Sequence, residues 1–240
     1  MVDEIPVRPA ATVMLLRDTT DGLEVFMLRR TNAAAFAGGM YVFPGGRVDD
    51  SDGEGDAAFA LAAVRECFEE CGVLLARDAD GNDIVDGHPA LAHRHDVHDG
   101  NVDVRELAAA HGLTLSLDDL VWMSHWITPK GEAARRFDTR FFMVASPAGQ
   151  HSQHDDSETV ASMWVRPAEA LAAGGRGELQ LMPPTVANLQ FLSEHADVDA
   201  AMAAARGVGT PPCILPKIRW ADGRMAGIAM PGDEDYDSLP

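Results

Sequence analysis

Two apolar runs near the N-terminus, "ATVMLLRD" (residues 11–18) and "LEVFMLRR" (23–30), are rich in residues that pack well on a pleated surface, and a Thr-Asp-Gly turn separates them. Their composition and spacing predict an antiparallel hairpin. A loop containing Gly38 and Gly39 leads to a further short strand in "YVFPGG" (41–46). From Ala57 to about Ala76 the period changes. Leu61, Val64, Phe68 and Cys71 recur at i, i+3, i+7 and i+10, which is one apolar stripe on a helix, and Gly72 stands near its end.

Residues 77–103 lose this periodicity and are rich in Asp, His and Gly, so they read as a loop-like insertion with at most a short helix. A helix is predicted at "VRELAAAHG" (104–112). Strands are predicted in "SHWITP" (124–129), "RRFDTRFFMVAS" (135–146) and "TVASMWVRP" (159–167), then helices in "PAEALAAGG", "PPTVANLQFLSEH" and "DVDAAMAAARG". The last segment carries a hairpin, "ILPKIRWADGRMAGIAM", turning at Asp222-Gly223, and an acidic tail "GDEDYDSLP" expected to be mobile. Hairpins interspersed with helices favour an α/β architecture with a mixed rather than a wholly parallel sheet. We expect a single domain over 1–240, an insertion at about 77–118 and a C-terminal extension from about 208.

Composition narrows the classes. A chain of 240 residues with 46% hydrophobic composition can bury a substantial core. The net charge of -19 and pI near 4.6 argue against a nucleic-acid polymer as partner, because phosphate backbones require clustered Lys and Arg. A small phosphorylated ligand stays open, since a bound divalent cation inverts the local field. No apolar run is long enough to span a bilayer, and no membrane partner is expected. Three cysteines, Cys67, Cys71 and Cys213, make no disulfide framework, and a cytoplasmic location is the expectation.

The candidate chemistry lies in the helix. Glu66 and Glu70 fall opposite the apolar stripe and Glu69 projects beside them, so three carboxylates share one polar surface. Like-charged i,i+4 pairs cost only about 0.2–0.5 kcal/mol, so a merely solvated acidic face is energetically acceptable. The Phe-Pro-Gly-Gly turn ahead of the helix favours a second reading, because its backbone carbonyls can approach the carboxylates and such hard oxygen donors suit Mg²⁺ or Mn²⁺. Gly46 followed by Arg65-Glu66-Cys67-Phe68-Glu69-Glu70-Cys71-Gly72-Val73 resembles the box of the Nudix hydrolases, G-x5-E-x7-R-E-U-x-E-E-x-G-U with U apolar. The second half matches throughout with Cys67 as the apolar residue. In the first half Gly46 and Arg65 are 19 apart where the usual spacing is 14, so the box's first glutamate falls on Ala57, and Glu54, Asp49 or Asp52 could serve in its place. The widened loop around "DDSDGEGD" (49–56) is expected to be mobile and solvent-facing.

The resemblance implies a Nudix-type α/β/α sandwich. It also implies a divalent-metal site in which Glu66, Glu69 and Glu70 are ligands, with the Gly45 carbonyl as a further one, and in which Arg65 orients the glutamates. The implied reaction is hydrolysis of a phosphoanhydride in a small nucleoside-diphosphate-linked substrate. Glu69, Arg65 and Glu158 are the catalytic candidates, Glu158 as extra ligand or general base, with Asp155 and Asp156 as weaker alternatives. "LRRTNAAAFAGGMYVFPGG" partly resembles a signature of CoA diphosphatases, although Ala35 stands at its second arginine. "HWITPKGEAARRFDTRFF", the wide box and the long insertion are similar to the peroxisomal-type branch and its bacterial relatives. That likeness makes CoA or acyl-CoA the first substrate candidate, ahead of ADP-sugars or dinucleotides, with a non-catalytic ligand-binding module as the alternative class. Families of this kind often form homodimers, but no apolar stripe in the sequence marks an interface.

Plainer readings stand beside several of these. In "RRFDTRFF", Phe137, Thr139 and Phe141 alternate with Asp138, Arg140 and Phe142, so Arg140 is either a salt-bridged residue of a core strand or, like Arg30, a fork for substrate phosphate. Glu158 could equally sit in a solvated loop. His88, His93, His95 and His98 lack cysteines or a defined ligand spacing and are not read as a zinc site. Cys71 belongs to the apolar stripe and is expected to be buried and inert.

Overall fold

The structure is a computed structural model, and it describes residues 5–32, 37–131, 135–155 and 158–240. The N-terminal hairpin forms as the pattern predicts, from β1 (Val7–Thr19) and β2 (Gly22–Arg30), and "YVFPGG" gives two short strands, β3 (Tyr41–Val42) and β4 (Gly45–Arg47). Helix α1 (Gly55–Cys71) follows, then β5 (Ala76–Arg77), α2 (Arg94–His98), α3 (Val104–Ala110) and β6 (Thr114–Leu115). Next come β7 (Val121–Ile127), β8 (Arg136–Ala145), β9 (Thr159–Val165), α4 (Pro167–Gly175), α5 (Pro183–Ser193) and α6 (Val198–Val208). The chain ends in β10 (Cys213–Ile214) and the hairpin β11 (Lys217–Ala221) with β12 (Arg224–Ala229).

The main sheet is mixed, in the order β10-β7-β8-β1-β2-β3, with β4 added to β1 and β9 to β2. β1 lies parallel to β8 from Val7–Arg136 to Leu16–Ala145. Along its other edge it changes partner: Ala10–Thr12 pair with β4, and Leu16–Thr19 pair with β2. The alternation of β1 sends Ala11, Val13 and Leu15 to one face, where they pack on Ala63, Val64 and Cys67 of α1. Met14 and Leu16 go to the other face, against Leu189 of α5 and Met202 of α6. The result is an α/β/α sandwich. Among the described residues, no helix is long and apolar enough to cross a membrane.

Helix α1 is shorter than its pattern suggested. Gly72 takes a left-handed backbone (φ +73°) and returns its N–H to the Phe68 carbonyl at 2.9 Å, so the helix stops at Cys71. The segment to Ala76, read from sequence as helix, is extended and leads into β5. The apolar stripe also divides. Val64 and Cys71 face the sheet, whereas Leu61 and Phe68 face outward into a third core with Ile84, Ala90, Val97 and Leu107. Residues 77–103 are therefore more ordered than a loop. A 3₁₀ turn at Pro89–His93, α2 and the β5–β6 ladder are held on α1 by this apolar contact, and Arg94 Nε donates to the Glu69 carbonyl at 2.9 Å. Gln150 joins the layers, donating to the Leu74 and Ile84 carbonyls and accepting from Leu74 N. The acidic tail is likewise fixed rather than loose. Arg219 binds Asp233 and Asp235 at 2.7 Å each, and the Tyr236 hydroxyl donates to the Leu215 carbonyl at 2.6 Å.

Candidate active site

The change of partner along β1 opens the sheet beside the C-terminal half of α1. Val13 N donates to the Pro44 carbonyl at 2.8 Å, which seats the Pro-Gly-Gly turn on β1, and Gly45 N donates to Glu70 Oε2 at 2.8 Å. Both glycines are demanded by close approach. A Cβ on Gly45 would lie 2.4 Å from the Ala11 carbonyl oxygen, and one on Gly46 would lie 2.3 Å from Glu66 Oε1. The turn thus brings bare backbone against the carboxylates of the helix.

Arg65 organises the helix side. It donates to Glu66 Oε1 (3.0 Å), to Glu69 Oε1 (3.2 Å) and to the Arg47 carbonyl (2.8 Å). A two-pronged contact reaches Asp52, from Nε to Oδ1 at 3.0 Å and from Nη2 to Oδ2 at 2.9 Å. The guanidinium is engaged on every side and is buried. Asp52 lies in a 3₁₀ turn (Asp50–Asp52), 6% exposed, and also accepts from Asp49 N at 2.8 Å. This corrects the expectation of a solvent-facing loop, because part of the acidic run turns inward to neutralise Arg65. Of the three acids left open as replacements for the box's first glutamate, Asp52 hydrogen-bonds Arg65 directly; Asp49 pairs with Arg47 at 3.0 Å and lies 3.9 Å from Arg65 Nη2, and Glu54 is exposed at the start of α1.

Burial dominates the acidity of the helix carboxylates. It pushes Glu66 up to about 7 against the opposing pull of Arg65, raises Glu69, and raises Glu70 well above the usual carboxylate range with the help of the neighbouring Glu66 charge. Four buried or nearly buried carboxylates, Asp52, Glu66, Glu69 and Glu70, meet two guanidinium groups, Arg65 and Arg30. This negative excess, with oxygen-only donors and the approach allowed by Gly45 and Gly46, fits a hard divalent cation. Among the described residues, no three carboxylate, imidazole or thiol groups already converge into a finished metal cage. Arg65 hydrogen-bonds Glu66 and Glu69, whereas Glu70 takes its short contact from the Gly45 amide.

Arg65, Glu66, Glu69 and Glu70 line one end of a cleft of ≈ 800 Å³. Arg30 and Glu158 stand beside them. Arg30 Nη1 is 3.7 Å from Glu70 Oε1 and its Nη2 is 3.6 Å from Glu158 Oε2, and Thr31 N donates to the Glu158 carbonyl at 3.0 Å. Asp155 braces the segment that carries Glu158: its Oδ2 accepts from Glu158 N at 3.1 Å, and its Oδ1 accepts from Thr159 N and Thr159 Oγ1, which closes the loop before β9. Asp156 and Ala35 lie outside the described residues. The rest of the cleft is more apolar, with Trp126, Phe137 and Phe141 from the sheet, Pro183 before the body of α5, and Pro216 and Ile228 from the C-terminal extension.

Arg140 is placed elsewhere. Strand alternation turns Phe137, Thr139 and Phe141 to the cleft and Arg140 to the opposite face. There its guanidinium lies 3.9 Å from the Phe59 ring centre and 4.4 Å from Trp122, and it pairs with Asp56 at 2.7 Å. The plainer reading of this residue fits that position. Sequence reasoning also missed the apolar half of the cleft, although the alternation in "RRFDTRFF" carried the signal. Cys67 and Cys71 are both buried, and of the four insertion histidines only His98 borders the cleft.

Comparison with known proteins places this geometry. The family model described as the NUDT19 Nudix domain matches residues 53–192, which begin just after the inward acidic turn and run through α1 to α5. The chain belongs to the Nudix hydrolase family. A Caenorhabditis elegans protein described as nudix hydrolase 7 is 31% identical over 95% of this chain and 74% of its own length. The acyl-coenzyme A diphosphatase NUDT19 of Homo sapiens is 33% identical over 75% of this chain and 51% of its own length, and that of Gallus gallus is 28% identical over 78% and 54%. The chain thus spans about half the length of these two curated relatives. The crystal structure of a Nudix hydrolase from Alicyclobacillus acidocaldarius superposes with a TM-score of 0.74 at 29% identity, covering 83% of this chain and 96% of that one.

Proposed function

We propose that this Nudix hydrolase cleaves the phosphoanhydride of CoA or an acyl-CoA, giving 3',5'-ADP and the (acyl-)4'-phosphopantetheine, with Mg²⁺ or Mn²⁺ as cofactor. The observation that carries the reading is the shared cleft, in which surplus buried carboxylates at one end continue into an apolar wall suited to a long arm. The names of the human and chicken relatives support the same substrate class. Glu66, Glu69, Glu70 and the Gly45 carbonyl would hold the cation, which when bound offsets diphosphate charge and acidifies a water. Arg65, saturated by its contacts, holds Glu66 and Glu69 in place and does not reach substrate. Arg30 faces the cleft with a planar fork matched to two phosphate oxygens. Glu158, half-exposed across from Glu70, is placed to accept a proton from the attacking water. Trp126, Phe137, Phe141 and Ile228 exclude water from the arm.

The test is mass-spectrometric product analysis with Mg²⁺ over a panel of CoA, acyl-CoA, ADP-ribose and dinucleoside polyphosphates. Release of 3',5'-ADP from CoA is the expected result. Rapid ADP-ribose hydrolysis with CoA untouched would reassign the substrate, and binding without turnover of any member would make the chain a ligand-binding module.

A further inference from the structure

Arg30 is held in an unusual way. It closes β2 at a register irregularity between Arg29 and Arg30, where the ladder to β9 shifts and Thr159 becomes its neighbour. Its contacts to Glu70 and Glu158, at 3.7 and 3.6 Å, are longer than hydrogen bonds, and its Nε is buried with no hydrogen-bond partner. A guanidinium normally saturates its fork on carboxylate when one is within reach. Here it stands between two carboxylates supplied by different elements and satisfies neither. Glu70 keeps its one short contact for the Gly45 amide.

We propose that Arg30 is a built-in stand-in for the metal: it offsets Glu70 and Glu158 while the cation is absent, is displaced from Glu70 when the cation binds, and then turns its fork to the substrate diphosphate. The inference rests on the metal reading given above. Its consequence is a coupling between the two ligands. The cation competes with Arg30 for Glu70, and a bound diphosphate, by taking up the released guanidinium, removes that competition and tightens the cation.

The test is Mn²⁺ binding without nucleotide at pH 8, followed by the electron-paramagnetic signal of free Mn²⁺. Arg30→Gln is expected to bind Mn²⁺ about tenfold more tightly than the wild type, the scale of one unit charge removed in a partly screened setting. Arg30→Lys, which keeps the charge, should stay near the wild-type affinity. Unchanged affinity in Arg30→Gln would make Arg30 a substrate contact only, and weaker affinity would make it an organiser of the ligands; either overturns the proposal. A second readout uses the wild-type chain. Phenylglyoxal modification of the Arg30 peptide, measured by mass spectrometry, should rise when Mn²⁺ is added, and an unchanged or reduced yield would count against displacement. A wild-type chain that binds no Mn²⁺ would remove the metal reading itself, whereas wild-type binding with an indifferent Arg30→Gln would remove this inference alone.

Discussion

Asp52 and Glu70 are both buried acids, yet the consequences of neutralising them differ. Asp52 takes two prongs of Arg65, so Asp52→Ala strands part of a buried guanidinium. We expect a loss of about 1.5–3 kcal/mol, the range for hydrogen bonds to charged groups, read as a lower Tm with and without metal. Glu70 is held by the Gly45 amide, and its charge is disfavoured by burial and by Glu66. Glu70→Gln should therefore leave Tm in EDTA unchanged or higher, while the proposed role of Glu70 as a cation ligand makes kcat/KM fall by about a hundredfold. A variant with full turnover at saturating Mg²⁺ would exclude Glu70 from the metal site. The glutamates were legible in the sequence because helical periodicity puts them on one surface. Asp52 was not, because only the folded turn shows which acid of "DDSDGEGD" faces inward, and spacing from Arg65 pointed to Ala57.

At the scale of elements, α1 is fixed by its ends and by two cores. Gly72 is the sharp stop: its φ of +73° is one that residues with a Cβ rarely adopt, and Arg94 Nη1 would lie 3.3 Å from any Cβ placed there. Gly72→Ala should cost about 1–2 kcal/mol, measurable by denaturant unfolding, with metal-dependent activity retained in the folded fraction. At the other end, Gly46→Ala meets only the tip of a flexible side chain, so the Glu66 carboxylate must shift. It should raise the Mg²⁺ concentration needed for half-maximal turnover several-fold while Tm changes little. Periodicity identified the strands and helices that bury an apolar face, including the hairpins and α1. It did not reveal that Leu61 and Phe68 leave the sheet for a separate core, because one stripe on a helix carries no label for its partner. Residues 77–103 read as a loop-like insertion with at most a short helix for the same reason, since their few apolar residues find support on the outer side of α1.

Across the whole molecule, the cleft is assembled from distant parts of the chain. The acidic end comes from the β4–α1 unit, the floor from β7 and β8, and one wall from Pro216 and Ile228 beyond residue 208. Ile228→Asp should raise KM for acyl-CoA several-fold with kcat preserved, as expected when an interaction equal in ground and transition states is removed. A comparable fall in kcat would instead place the hairpin in the chemical step. Because Arg219 ties that hairpin to Asp233 and Asp235 rather than to α1, the wall is braced locally. On the function proposed above, what is broken and how long a molecule may be would be written in separate stretches of chain, and a graft of a different terminal hairpin would then retune the enzyme's diet and leave its scissors as they are.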